Sequence, residues 1–357
     1  MARHGVQIIL CIGLEKTGTT SLQKACGKAR EILLQNGVLY PDRLGRDNHI
    51  DLAAYAQEDY KSDNVRKSIL ARRDIDLATF RRQVERNVVT ISSRTDYDRV
   101  MFSNEHLHSR ITVESELRRL KALLEQIGSD FRIAVILRRQ DRVAESLLST
   151  MIKGGRINLN PVLPRSGALP LFYRYYDLLD MYENVFGSGT VHAGIYEDQT
   201  YRGVTLFDIF NNVTGLSVQI ADQDKRARAN RALSRDGLRI LGKVNQLATG
   251  KQSMAAHQRA RLIRWLEDGH GGHPILLTRS QVRTFLDRCA EQNEKLRLRW
   301  FPDRDVLFPE EFADIPEQLP PSLLSSEEID QAARTYLEWA LSGQTQPPAA
   351  CLPLTGP

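Results

Sequence analysis

The opening of the chain constrains its fold more than any other feature. Val6-Gln-Ile-Ile-Leu-Cys-Ile12 is an almost unbroken apolar run that stops at Gly13, and a second glycine, Gly18, precedes a helical pattern. A strand apolar at nearly every position is buried on both faces, as in a parallel sheet covered by helices. From Thr19 to Asn36 the periodicity predicts an amphipathic helix with Leu22, Cys26, Ile32 and Leu33 on its apolar side, and Gly37 is a natural stop. A strand, a glycine loop and a helix in that order aim backbone N–H groups and the positive helix end at one point, where an anion is stabilised.

The same alternation continues. Short strands are predicted at Val38–Tyr40, Arg99–Phe102, Phe131–Leu137 and Val191–Tyr196, and helices at about 112–128, up to Lys153, at 171–186 and at 203–213. This is the pattern of an α/β fold, a P-loop-like central parallel sheet flanked by helices. Residues 154–170, rich in Gly, Asn and Pro, read as a loop or flap, and 42–65 reads as a second loop. From about 230 to 300 the pattern is helical and basic. The expected organisation is one domain over 1–342, with 230–342 as a helical extension, and a disordered tail over 343–357. The chain shows no internal repeat and no apolar run long enough to span a bilayer. Hydrophobic residues make up 41%, enough for a sizeable core, and a net charge of +5 suits an anionic ligand without arguing for nucleic acid. Four cysteines without a CxxC pair fit a reducing, cytoplasmic compartment.

The loop Gly13-Leu-Glu-Lys16-Thr17-Gly18-Thr19-Thr20-Ser21 matches a Walker A loop as far as its second glycine, but the next residue is Thr19 where that loop has lysine. The lysine stands earlier, at Lys16. A lysine at the helix start reaches the outer phosphates of a triphosphate; set back in the loop, it lies beside the terminal group and bridging oxygen of a shorter anhydride. Thr19, Thr20 and Ser21 then offer hydroxyls to a 5′-phosphate with no demand for Mg²⁺. The stretch Gly13 to Gln23 resembles the 5′-phosphosulfate loop, Lys-[Ser/Thr]-Gly-Thr-Thr, of the sulfotransferases that use 3′-phosphoadenosine 5′-phosphosulfate (PAPS). It is most similar to the bacterial type with a Lys-Thr-Gly-Thr-Thr-Ser loop. The resemblance covers about residues 6–150.

That family's second signature is an arginine ending a later strand and a serine eight residues on, which together hold the 3′-phosphate. Arg138 and Ser146 have this spacing, with Arg139 as the substitute if the strand end bulges. Arginine supplies a forked donor that suits phosphate. Two departures count against the small-molecule branch of the family: Ser21, not an aromatic residue, follows Thr20, and no Arg-Lys-Gly segment occurs. The resemblance implies PAPS as co-substrate, no metal, and an acceptor hydroxyl on a carbohydrate or glycolipid. It gives Thr17, Gly18, Thr19, Thr20 and Ser21 to the 5′-phosphosulfate, and Lys16 to the charge that develops on the bridging oxygen.

A base must take the acceptor proton. The resemblance offers, in order, Glu105, His106 and His49: the first two follow the strand at Arg99–Ser103, and the third sits in Asp47-Asn48-His49. The remaining histidines have no supporting context, and Gly269-His-Gly-Gly-His273 reads as a loop before it reads as a metal site. Two alternatives stay open: a P-loop kinase, disfavoured by the missing Gly-Lys-[Ser/Thr] lysine, and a nucleotide-binding protein without activity. Acceptor choice is expected to lie in 42–65 and 154–170.

Overall fold

The computed structural model describes residues 5–13, 17–160, 163–164, 166–217, 232–248, 254–309 and 312–344. In chain order its elements are β1 (Gln7–Cys11), α1 (Thr19–Lys28), α2 (Arg30–Gln35), β2 (Val38–Leu39), α3 (Ile50–Ala56), α4 (Asn64–Arg73), α5 (Leu77–Ser92) and β3 (Arg99–Ser103). Next come α6 (His106–Arg110), α7 (Glu114–Leu124), β4 (Asp130–Leu137), α8 (Gln140–Lys153), α9 (Tyr175–Phe186), β5 (Val191–Ile195), α10 (Asp198–Tyr201) and α11 (Leu206–Thr214). The last four are α12 (Arg235–Leu247), α13 (Ala256–Gly269), α14 (Arg279–Trp300) and α15 (Ser326–Ser342). The chain divides into two compact units. The first comprises Met1–Arg139, Leu169–Lys225 and Cys289–Phe308; the second comprises Gln140–Ala168, Arg226–Arg288 and Pro309–Pro357.

The first unit is α/β. Its five strands are all parallel and ordered β2-β3-β1-β4-β5, so β1 lies at the centre, with Cys11 level with Ser103 on one side and Ala134 on the other. Because side chains alternate along a strand, Ile9 and Cys11 join one face and Ile8 and Leu10 the other. The first face packs with Met101 and Ile136 against Leu22 and Cys26 of α1, Leu33 of α2 and Phe210 and Val213 of α11. All four of these β1 side chains are buried, which is why β1 reads as an unbroken apolar run.

The second unit is helical within the described residues. Leu148 and Ile152 of α8, Leu241 and Val244 of α12, Leu262 and Leu266 of α13 and Tyr336 and Ala340 of α15 share one core. The helical pattern read over 230–300 is thus present as α12, α13 and α14, with α14 running on into residues of the first unit. Most of the tail read at 343–357 lies outside the described residues.

Several boundaries differ from the sequence reading. The helix expected over Thr19–Asn36 is two helices, broken at Ala29, and the turn moves Ile32 off the apolar side to 46% exposure. Gly37 does follow the helix end, at φ 74°. The helix expected from 112 begins at Glu114, and no side chain caps it. The segment 42–65 is not a plain loop, since it holds α3 and the start of α4. Three guanidiniums at the C-terminal end of α3 give the physical reason. Arg66 donates to the carbonyls of Gln57 (3.2 Å) and Glu58 (2.9 Å), Arg81 to Gln57 (3.0 Å), and Arg119 to Ala56 (2.9 Å) and Gln57 (2.8 Å). Cations there satisfy orphan carbonyls and oppose the negative end of the helix.

Candidate active site

Parallel strands end together, so the loops after β1, β3, β4 and β5 meet at one sheet edge. β1 is the point where the chain passes from one side of the sheet to the other, and crevices form at such points. The loop after β1 is bracketed by its two glycines. Gly13 (φ 24°) is flanked closely: a Cβ there would stand 2.7 Å from Thr19 Cγ2 and 4.0 Å from Glu105 Cα. Gly18, at φ 77°, is the left-handed residue that opens α1, and a Cβ there would meet Leu206 Cδ2 at 2.5 Å and Tyr196 Cε2 at 3.9 Å. Both positions therefore disfavour a side chain, and no side chain caps the α1 N-terminus.

Thr19 is partly exposed and Thr20 and Ser21 are exposed on the first turn of α1, whereas Thr17 is fully buried and lines a small cavity with Leu22, Ser103 and Ile136. Lys16 lies outside the described residues, with Leu14 and Glu15. At the end of the neighbouring strand, the Arg138 guanidinium lies 4.9 Å from the centre of the Tyr196 ring, and the Arg138 carbonyl accepts from Tyr175 Oη at 2.9 Å. Tyr196 therefore stands between the glycine loop and Arg138. Arg139 is buried, and its N–H donates to Glu197 Oε1 at 3.0 Å. Burial pushes the Glu197 carboxyl above its ordinary range, partly offset by that hydrogen bond. Ser146 is partly exposed on α8, in the second unit.

The three candidate bases stand in different surroundings. Glu105 follows β3, and its carboxylate accepts from Gln23 Nε2 at 2.8 Å and from Asn48 Nδ2 at 3.2 Å on each oxygen. Asn104, fully buried, donates from Nδ2 to Asn48 Oδ1 and accepts the His106 N–H at 3.0 Å. His106 is partly exposed at the start of α6, with Nδ1 3.4 Å from Ser109 Oγ. His49 is fully buried. Its Nδ1 accepts the Ser103 N–H (3.0 Å), so Nε2 is the protonated nitrogen and donates to the Pro41 carbonyl (2.9 Å). Its ring packs edge-on against Tyr40 and Phe102, and burial lowers its pKa to about 4. With both nitrogens engaged, His49 keeps none for an acceptor hydroxyl.

The sequence reading missed Gln23, Asn48 and Asn104 around Glu105, and Tyr196 and Glu197 after β5. The signal for the last two was available, since polar residues directly after a parallel strand lie at the edge where ligands bind. Among the described residues no cluster of three or more His, Cys, Asp or Glu could hold a metal ion, and no helix is long and apolar enough to cross a membrane.

No protein-family model matches the chain, and no curated protein matches it. Among solved structures, the chain is similar to the crystal structure of a sulfotransferase from Alicyclobacillus acidocaldarius. The identity is 16%, the match covers 61% of this chain and 83% of that one, and the TM-score is 0.38.

Proposed function

We propose that this chain is a PAPS-dependent sulfotransferase that moves a sulfuryl group to an acceptor hydroxyl, on a carbohydrate or glycolipid, in the cytoplasm. One observation carries the reading. The loop containing Lys16–Thr20 follows β1, Arg138 follows the adjacent strand β4, and Tyr196 lies against both Gly18 and Arg138. Gly18 and Arg138, more than a hundred residues apart in sequence, thus lie on either side of one tyrosine ring, which supports the reading.

The residues present suit an adenosine 3′-phosphate 5′-phosphosulfate. Gly13 and Gly18 allow backbone conformations at positive φ and close packing that a Cβ would strain, and the uncapped α1 N-terminus offers N–H groups to an anion. Thr19, Thr20 and Ser21 add hydroxyls, and Arg138 adds a forked donor at the strand end. PAPS, when bound, supplies a sulfuryl group whose departure leaves an electron pair on a phosphate oxygen. Lys16 is assigned to neutralise that charge. Glu105 takes the proton of the attacking hydroxyl as the new O–S bond forms and the old one breaks. Glu105 comes before His106 because its carboxylate is held by Gln23 and Asn48 while its Cα lies 4.0 Å from where a Cβ on Gly13 would stand, and before His49 because both nitrogens of that ring are engaged. Buried thiols at Cys11, Cys26 and Cys289 suit a reducing compartment.

Calorimetric titration with adenosine 3′,5′-bisphosphate and with ATP, each with and without Mg²⁺, tests the reading. Mg²⁺-independent binding of the bisphosphate in preference to ATP is the expected result; preference for ATP with Mg²⁺ overturns it in favour of a kinase.

A further inference from the structure

We infer that Asn104, Asn48 and Gln23 form a hydrogen-bond chain of fixed direction that orients Glu105 and leaves Oε1 as its proton-accepting oxygen. The inference rests on the sulfotransferase reading above and adds three positioning residues to it.

The direction is set at both ends by groups that cannot be reversed. The His106 backbone N–H can only donate, so the Asn104 atom that meets it is the carbonyl oxygen. The Asn104 amide nitrogen must then face Asn48 and donate to its Oδ1. That leaves the Asn48 nitrogen facing Glu105, where an ionised carboxylate can only accept. Flipping any one amide would set oxygen against oxygen or N–H against N–H. Gln23 Nε2 arrives from α1 and completes the arrangement.

Counting bonds separates the two oxygens of Glu105. Oε2 accepts from Gln23 at 2.8 Å and from Asn48 at 3.2 Å, which uses both of its lone-pair directions. Among the described residues Oε1 accepts one bond, from Asn48 at 3.2 Å, and keeps one direction open. The proton of the acceptor hydroxyl therefore goes to Oε1 while the hydroxyl oxygen bonds to sulfur and the bond from sulfur to the 5′-phosphate oxygen breaks, leaving its electron pair on that oxygen. The three amides come from distinct segments (α1, the stretch before α3, and the residue after β3): Gln23 and Asn48 hold the carboxylate from two sides, and Asn104 fixes Asn48 from behind. Gln23 also spans to Ser103 Oγ at 3.4 Å, which ties α1 to the end of β3.

The test compares Gln23→Met, Asn48→Leu and Asn104→Leu with wild type, each alone and combined with Glu105→Gln. Consumption of radiolabelled PAPS is followed with water and with the methyl glycosides of glucose, galactose and N-acetylglucosamine as acceptors, and bisphosphate affinity is measured in parallel. The expected result is a fall in kcat of about 10- to 100-fold for each single variant, the range that misplacing a catalytic group produces, with the KM for PAPS and the bisphosphate affinity within about twofold. In the Glu105→Gln background the same replacements should change kcat by less than about twofold, because residues acting through one group are not additive. Equal losses in both backgrounds, or a loss of bisphosphate affinity that parallels kcat, assign the amides to loop structure and overturn the inference. Wild-type turnover with indifferent variants overturns it while leaving the sulfotransferase reading intact. A wild type that neither binds the bisphosphate nor consumes PAPS removes that reading, and this inference with it.

Discussion

Replacing Gly18 by alanine tests the anion cradle directly. At φ 77° an L-residue pays a backbone penalty of roughly 1–2 kcal/mol. The new Cβ would also stand 2.5 Å from Leu206 Cδ2, the far end of a flexible side chain, so relief by rotation holds that contact to about 1 kcal/mol, the low end for an overfilled site. The free variant escapes the strain by leaving the left-handed conformation, and an anion then binds only if the loop returns to it. Bisphosphate affinity should therefore fall by the strain regained, about 30- to 160-fold for roughly 2–3 kcal/mol. Leu206→Ala opens the space for the Cβ, so the double variant should recover only the contact share, about fivefold, and keep the backbone share. Calorimetry on the four proteins gives the cycle. Affinity unchanged within about twofold in Gly18→Ala would refute the reasoning, because the loop would not need this conformation to hold its anion. Full recovery in the double variant would refute the backbone part alone.

Three further outcomes are expected. His49 is neutral and buried, with its pKa lowered to about 4, so the unfolded chain takes up its proton first as pH falls. Stability should accordingly drop by about 3 kcal/mol between pH 6.5 and 4 on this account, and His49→Gln should flatten the slope of denaturation midpoint against pH by close to one proton. Glu145 behaves in the opposite sense. Burial lifts its pKa to about 7, so its contribution is present in acid and lost as pH rises from about 4.5 to 7. Glu145→Gln, still able to accept from the Leu276 N–H, should gain about 3 kcal/mol relative to wild type at pH 8 and nearly nothing at pH 4, measured by urea denaturation. Arg66→Met should cost about 3 kcal/mol by the same method, because carbonyls at the end of α3 lose a charged donor while half-hidden from water.

What the sequence disclosed and what it withheld divide along physical lines. β1 and β4 were legible because strands covered on both faces carry unbroken apolar runs, and the glycine loop because only glycine tolerates the close approaches at positions 13 and 18. The break at Ala29 was hidden, since nothing in Lys28-Ala-Arg30 disfavours helix locally. The helices α3, α4 and α5 were missed because their arginines look like ordinary surface charges. In the structure Arg66, Arg81 and Arg119 serve as donors to one helix end, and Asp63 and Asp76 cap the next two helices. The amides around Glu105 were invisible for another reason. Asn and Gln occur everywhere on surfaces, and only the fold brings residues 23, 48 and 104 to one carboxylate.

The central position of β1 has a consequence for how the protein is made. β1 pairs with none of the 87 residues between Cys11 and Arg99; its partners are β3 and β4, beginning at Arg99 and Asp130. Until those strands emerge, a fully apolar segment and the glycine loop behind it have open edges, and loop closure over such distances slows sheet formation. β1, which leads into the proposed anion loop, is thus also a segment exposed to misassociation until its partners are made. Fragments ending before residue 130 should aggregate through β1, whereas a polar replacement at Ile8 or Leu10 should keep such fragments dispersed and prevent the full chain from folding.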